Sequence, residues 1–231
     1  MSRLLYILQR SDGFNLMEKE RREKYIADEF NRTAEGYDKS QLVKSFQRCA
    51  QKLVLSKMKM DEGMSILDLG CGTGQATIDI GRMLRGTGEV IGFDLSEKMI
   101  DQAIKKVDDT IDTNITFETM SGSSLDNEDR FDYVISTNAF HHFYNKEDIF
   151  LRVNRALKSR GIFIIQDICD DFLLMRLVDY AGKFGEKAHV GSATSKRLRE
   201  IFQATGYEDI TIEKVNLTWF WKIMIGQGKK V

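Results

Sequence analysis

The chain reads as an α/β fold built on an open, mostly parallel sheet, and three observations predict it. Short apolar strands alternate with helical stretches, the pattern of β-α-β units with right-handed crossovers. The first strand, Ser65 to Leu69, runs into a cluster of glycines, Gly70, Gly72 and Gly74, at a strand-to-helix turn. Residues Gly161 to Ile168 are apolar almost throughout, as a strand covered on both faces must be.

Element by element, residues from about 17 to 59 predict helices. Leu42, Val43, Phe46, Ala50, Leu53 and Val54 are spaced for one face, and Gly36 interrupts the run. After the first strand a helix is expected from Gln75 to Leu84, then a strand from Glu89 to Leu95. Ser96 can cap the next helix, which runs to about Val107. Ile115 to Thr119 and Phe131 to Ser136 are strands, Lys146 to Leu157 a helix, and Gly161 to Ile168 the apolar strand. Thr194 or Ser195 caps a helix to Ala204, which Gly206 ends. Residues 208–215 and about 217–225 predict two closing strands. Trp219, Phe220 and Trp221 would pack the last of them, with Lys229 and Lys230 as a solvated tail. Between 169 and 193 lies an insertion where a lid could sit. Its apolar residues Phe172, Leu173, Leu174, Met175, Leu177 and Tyr180 fit an apolar cap and ordinary helix packing equally.

The composition of the 231 residues is that of an ordinary globular protein, 42% hydrophobic and 30% charged. A net charge of −1 carries no overall basic excess of the sort nucleic-acid binding favours, and no nucleic acid is expected as a partner. Cys49, Cys71 and Cys169 have neither metal-ligand spacing nor the even count of a disulfide framework, which predicts no metal and a reducing, cytoplasmic compartment. No apolar run approaches the roughly 20 residues needed to span a bilayer. The N-terminus lacks the features of a signal peptide, and residues 1–16 read as a mobile extension ahead of the charged run from Met17. There is no proline, so turns rest on Gly, Asn, Asp and Ser. Monomer and dimer are equally compatible with the sequence.

The strongest functional signal is the run Ile66-Leu67-Asp68-Leu69-Gly70-Cys71-Gly72-Thr73-Gly74. Ligands of open α/β sheets bind beyond the C-terminal strand ends, where this loop lies. A dinucleotide fingerprint starting at Gly70 needs its third glycine at position 75, which is Gln75; the glycine falls at Gly74 instead. That closer spacing suits a loop around an amino acid and a ribose rather than a pyrophosphate. No Gly-Lys-Ser or Gly-Lys-Thr follows, so the phosphate-loop pattern fails as well. Asp94 ends the second strand, where a carboxylate can accept both hydroxyls of a ribose. It points to an adenosine-type ligand, the bland alternative being a helix-capping residue.

At this point the sequence resembles the class I S-adenosylmethionine-dependent methyltransferases, in the ubiquinone/menaquinone-biosynthesis branch. The resemblance covers roughly residues 30–225 and rests on ILDLGCGTG, VIGFDLSEKMI, FDYVISTNAFHHF and RVNRALKSRGIFIIQD. It implies a Rossmann-like three-layer sandwich with strand order 3-2-1-4-5-7-6, the last strand antiparallel. Residues 17–231 would form a single domain, with an N-terminal helical cap over about 17–60. The implied cofactor is S-adenosyl-L-methionine, with S-adenosyl-L-homocysteine as product, and the implied acceptor is a small or lipid-like molecule.

By that resemblance Gly70, Gly72 and Gly74 line the methionine and ribose side, Asp68 supports the amino group and Asp94 holds the ribose. Met99 packs on adenine or, equally, is a core helix residue. Asn138 approaches the methionine portion through its backbone. Ser121 and Gly122 contact adenine, with Ser121 standing where the family often has an acid; a hydroxyl there accepts without charge assistance. A second departure, Lys158-Ser159-Arg160-Gly161, is a turn away from the ligand end. Tyr37, within FNRTAEGYD, is either a lid contact or an aromatic anchor.

Histidine titrates near neutral pH. His141 and His142 follow the fourth strand and are candidates for a base or a substrate contact, His142 the favoured one; the alternative is a structural histidine ordering the loop. His189 is a weaker candidate, and a thiol-based reaction has little support. A cofactor-binding module without turnover, or a nicotinamide-dependent oxidoreductase, are the competing functions.

Overall fold

The computed structural model describes residues 3–39, 41–172, 175, 190–218 and 221–231, with backbone alone over 3–16 and 41–43. Helices α1 (Arg3–Tyr37) and α2 (Gln41–Leu55) precede the sheet. Then follow β1 (Ser65–Leu69), α3 (Gln75–Met83), β2 (Glu89–Asp94), α4 (Glu97–Ile104), β3 (Ile115–Thr119), β4 (Phe131–Thr137), α5 (Lys146–Ala156) and β5 (Leu157–Ile168). The chain closes with α6 (Ser195–Ala204), β6 (Tyr207–Asn216) and β7 (Lys222–Lys230). The sheet has the expected order, β3-β2-β1-β4-β5-β7-β6, and β7 is antiparallel to both neighbours. The break between α1 and α2 falls next to Gly36, as predicted. The expected extension over 1–16 concerns residues whose side chains lie outside those described, although the backbone of α1 begins at Arg3.

Two apolar layers sandwich the sheet. On one side Phe150 meets Phe163 at 5.0 Å and Phe202 at 4.8 Å, and Phe202 stands edge-on to Tyr207. The buried Tyr207 hydroxyl donates to the Phe150 carbonyl, which satisfies its polar end. On the other side Ala50 and Val54 of α2 pack with Ile80, Tyr133, Ile135 and Ile164. Three helix starts are capped by side chains: Ser96 accepts from Met99 N, Asn145 from Asp148 N and Thr194 from Arg197 N.

Two expectations are corrected. The last strand lies at Lys222–Lys230 rather than 217–225, and Lys229 and Lys230 are not a tail. Lys229 pairs with Ile162 and Glu208, and the Lys230 ammonium donates to the Leu157 carbonyl at 2.7 Å and to Asp129 at 2.8 Å. Gly226 and Gly228, weak strand formers, lie here because a Cβ on either would come within 2.6 Å of Leu198 or Phe202 on α6. Trp219 and Phe220 lie outside the described residues, while Trp221 precedes β7 and stacks on Phe46 at 6.0 Å.

β5 also begins earlier than predicted. Lys158 to Arg160 form a bulge within the strand: Phe131 pairs with Leu157 and Tyr133 with Ile162, so two steps on β4 face five on β5.

Candidate active site

The loop after β1 is pinned to the tip of β2. Gly70 N and Cys71 N both donate to the Phe93 carbonyl, at 2.8 and 2.9 Å, and Gly72 N donates to Asp94 Oδ2 at 2.8 Å. Gly70 and Gly72 have φ of +78° and +54°, which other residues adopt only under strain. A Cβ on Gly70 would strike Ala139 at 2.5 Å, whereas one on Gly72 would meet nothing within 4 Å. The first glycine therefore closes the loop onto the β4 end, and the second faces open space.

That space is a pocket of about 1160 Å³, its mouth included, across the C-terminal ends of β4, β1, β2 and β3. Gly70, Gly72, Asp94, Met99, Ser121, Gly122, Asn138, Tyr37 and His142 all line it. Three predicted site residues do not. Gly74 has its Cα against Phe117 and Ala103, where a Cβ would clash at 2.5 and 2.7 Å, so it serves helix-to-strand packing. Asp68 and His141 lie behind the lining.

Asp68 is fully buried, and its Oδ2 accepts from the Thr77 hydroxyl at 2.7 Å. Oδ1 has no partner. The carboxyl is pushed up to about 7, chiefly by burial; the Thr77 bond opposes the rise and the Asp94 charge adds to it. Asp94 is raised too, again by burial, against the Ser96 and Gly72 N–H bonds that lower it. Asp94 Oδ1 accepts from Ser96 N at 2.9 Å and Oδ2 from Gly72 N, and a carboxylate oxygen can accept more than one bond. Burial likewise pushes the Cys71 thiol well up, with the Asp94 and Asp68 charges adding, which disfavours a thiolate in the pocket.

At the β4 end, Asn138 has φ +53°, its N–H donates to the Gln166 carbonyl and its Oδ1 accepts from Gln166 Nε2. The two histidines separate in role. His141 Nδ1 lies 2.8 Å from Asp167 Oδ1, its backbone N–H donates to Oδ2, and its carbonyl accepts from Val190 N and Gly191 N. Burial raises the Asp167 carboxyl, but the charge and hydrogen bonds of His141 outweigh it and hold the group below its ordinary value. His141 thus ties the loop to β5. His142 faces the pocket, with its ring centroid 3.9 Å from that of His141 and 4.9 Å from that of Phe30 on α1.

Sequence reasoning expected a helical cap and singled out Tyr37, but it missed the other side chains with which that roof lines the pocket. Glu23, Phe30, Asp38, Lys44, Gln47, Arg48 and Gln51 line the pocket from α1, α2 and the turn between them. Glu23 accepts from the Ser121 and Ser123 hydroxyls. Asp38 pairs with Lys106 and accepts from Thr73 Oγ1, and Tyr37 Oη accepts from Gln47 Nε2 at 2.9 Å. Lys44, Gln47, Arg48 and Gln51 stand at i, i+3, i+4 and i+7, the polar counterpart of the apolar face read from α2; that spacing was the available signal. In the lid region Leu173, Leu174, Leu177, Tyr180 and His189 lie outside the described residues. Met175 is fully buried and Phe172 packs on the core beneath the Lys222 ammonium. Among the described residues no group of three His, Cys, Asp or Glu side chains could hold a metal.

Strand order, glycine loop and ribose-type carboxylate together define a class I S-adenosylmethionine-dependent methyltransferase fold. Residues 60–206 match the family model described as a methyltransferase domain, and the chain belongs to that family. It is 28% identical over 159 residues to a ubiquinone/menaquinone biosynthesis C-methyltransferase of Blochmanniella pennsylvanica, covering 67% of this chain and 63% of that one. It is 27% identical over 218 residues to a demethylmenaquinone methyltransferase of Lactobacillus johnsonii, covering 84% and 89%. Among solved structures, a Haemonchus contortus phosphoethanolamine N-methyltransferase in complex with S-adenosylhomocysteine shares the fold, with TM-score 0.66 and 19% identity over 78% of this chain and 52% of that one.

The pocket fits the cofactor of this class, S-adenosylmethionine. Space opens over Gly72, each Asp94 oxygen can accept a further bond, and directly behind the loop Asp68 Oδ1 is a buried acceptor left unpaired among the described residues.

Proposed function

We propose that the chain methylates a small, lipid-like acceptor seated between the β4 end of the pocket and the helical roof. The observation that carries this reading is the continuity of the pocket. One cavity joins the glycine loop and Asp94 to His142, Phe143, Tyr144 and the α2 face with Lys44 and Arg48. When bound, S-adenosylmethionine supplies an electrophilic methyl on a sulfonium. Gly70, Gly72 and Asn138 hold its amino-acid end through backbone, Asp68 supports the ammonium from behind, and Asp94 grips the ribose. Phe30, Tyr37, Phe143 and Tyr144 give apolar walls that exclude water and position the acceptor. His142 stands at the acceptor end and receives the proton of a nucleophile that arrives protonated. His141, held by Asp167, fixes that loop.

Support for the acceptor class comes from the quinone-type substrates named for the relatives and from these aromatic walls. No described helix is long and apolar enough to cross a membrane. We place the protein in the cytoplasm on its free cysteines, with no nucleic acid as partner. The test offers S-adenosylmethionine labelled in its methyl group together with a lipid extract. Label in the organic phase is the expected result. Binding of S-adenosylhomocysteine without labelled product from any extract would favour a binding module, and tighter binding of NADH would make the protein an oxidoreductase.

A further inference from the structure

We infer that Glu23, carried by α1, is the residue that reads the exocyclic amine of the cofactor's adenine. The inference rests on the ribose lying at Asp94. From there the pocket continues along the strand tips to the end of β3, where Met99, Met120, Ser121, Gly122 and Glu23 form its wall. A planar base placed there meets two methionine side chains and one carboxylate. Glu23 Oε1 accepts from Ser121 Oγ at 2.8 Å and Ser123 Oγ at 2.7 Å, which fixes the carboxylate at the pocket wall. Among the described residues Oε2 accepts no hydrogen bond.

The neighbouring groups leave this acceptor as the one suited to an amine. The Ser121 hydroxyl spends its proton on Glu23 and accepts from Ser123 N at 3.1 Å. The other acids of the pocket are engaged elsewhere, Asp38 by Lys106 and Thr73, and Asp94 by the ribose placed there. Nor is Glu23 needed merely to dock α1. Eight residues further on, about 12 Å along the helix, Asn31 Oδ1 already accepts from Ser96 Oγ at 2.7 Å and Lys98 N at 3.1 Å. An acid from α1 therefore stands where β3 supplies only hydroxyls, so the base is read by the roof and not by the sheet.

The test is a calorimetric titration of the full chain with S-adenosylhomocysteine and with S-inosylhomocysteine, which carries a carbonyl in place of the amine. Wild type should prefer the adenine ligand by about ten-fold or more, the worth of one charge-assisted hydrogen bond. Glu23→Ala should erase most of that preference. Glu23→Gln, whose amide also donates, should bind the inosine ligand more tightly than wild type does. An unchanged ratio in both variants, even with both ligands weakened, would overturn the inference and leave Glu23 a latch of α1. Failure of wild type to bind either ligand would instead overturn the cofactor site itself, and the inference with it.

Discussion

The floor and the roof of the pocket are held by different kinds of bond. On the floor, Gly70, Cys71, Met120 and Asn138 each donate a backbone N–H to a carbonyl of the adjoining strand tip. The roof is tied to the floor through its side chains: Asn31 to Ser96, Glu23 to Ser121 and Ser123, Asp38 to Lys106 and Thr73. Backbone ties within a seven-stranded sheet break only when the sheet does. Half-exposed side-chain latches contribute about 1 kcal/mol or less each. Apolar burial also holds the roof, through Ile26 and Ala34 on α1 and Ala50 and Val54 on α2, so the contrast lies in the polar ties.

The largest expected effect tests the rigidity of the floor. Asp68 titrates near 3.8 in the unfolded chain and at about 7 in the folded one. An acid raised in this way leaves stability intact below about pH 4; stability is lost as pH rises to about 7, and the loss is constant above. Three units at 1.36 kcal/mol each amount to roughly 4 kcal/mol. Asp68→Asn should remove that cost while weakening S-adenosylhomocysteine binding. Urea denaturation should show variant and wild type diverging as pH rises from 4 to 7; parallel curves would deny the buried charge.

His142→Ala comes next. Loss of a positioned base should lower kcat by about a hundred-fold with little change in calorimetric cofactor affinity. Unaltered kcat would reassign His142 to holding Phe30 and α1. Asp94→Ala should weaken cofactor binding by at least about 1.5 kcal/mol, and an unchanged dissociation constant in a folded variant would remove the ribose role. The smallest effect belongs to the roof. Tyr37→Phe deletes one half-exposed hydrogen bond to Gln47 and should cost under about 1 kcal/mol in cofactor affinity. A loss as large as that of Asp94→Ala would mean that the roof grips as hard as the floor.

The same division governs what could be read in advance. β1 and β3 were legible to the residue, β1 because an apolar stretch stops at glycines and β3 because apolar and polar residues alternate over Ile115 to Thr119. β7 was misplaced because Gly226, Gly228 and the two lysines are poor strand formers on their own. Only the approach of Leu198 and Phe202 makes glycine the residue that fits. Gly74 sits in the motif yet serves packing, since spacing along the chain does not reveal which way a Cα faces. His141 and His142 are adjacent and chemically identical in sequence; only the fold brings Asp167, 25 residues beyond His142, against the His141 ring.

What the sequence determined by itself was local: where strands meet glycines, where helices are capped, which carboxylate ends β2, and hence the fold and the cofactor cradle. Backbone conformation and periodicity depend on neighbours a few positions apart, so they can be read from the chain. The tertiary structure alone decided which side chains share the pocket, that Asp68 is fully buried, and that Glu23 lies against Ser121 across 98 positions. Burial and long-range hydrogen bonding exist only once distant segments have been packed against each other.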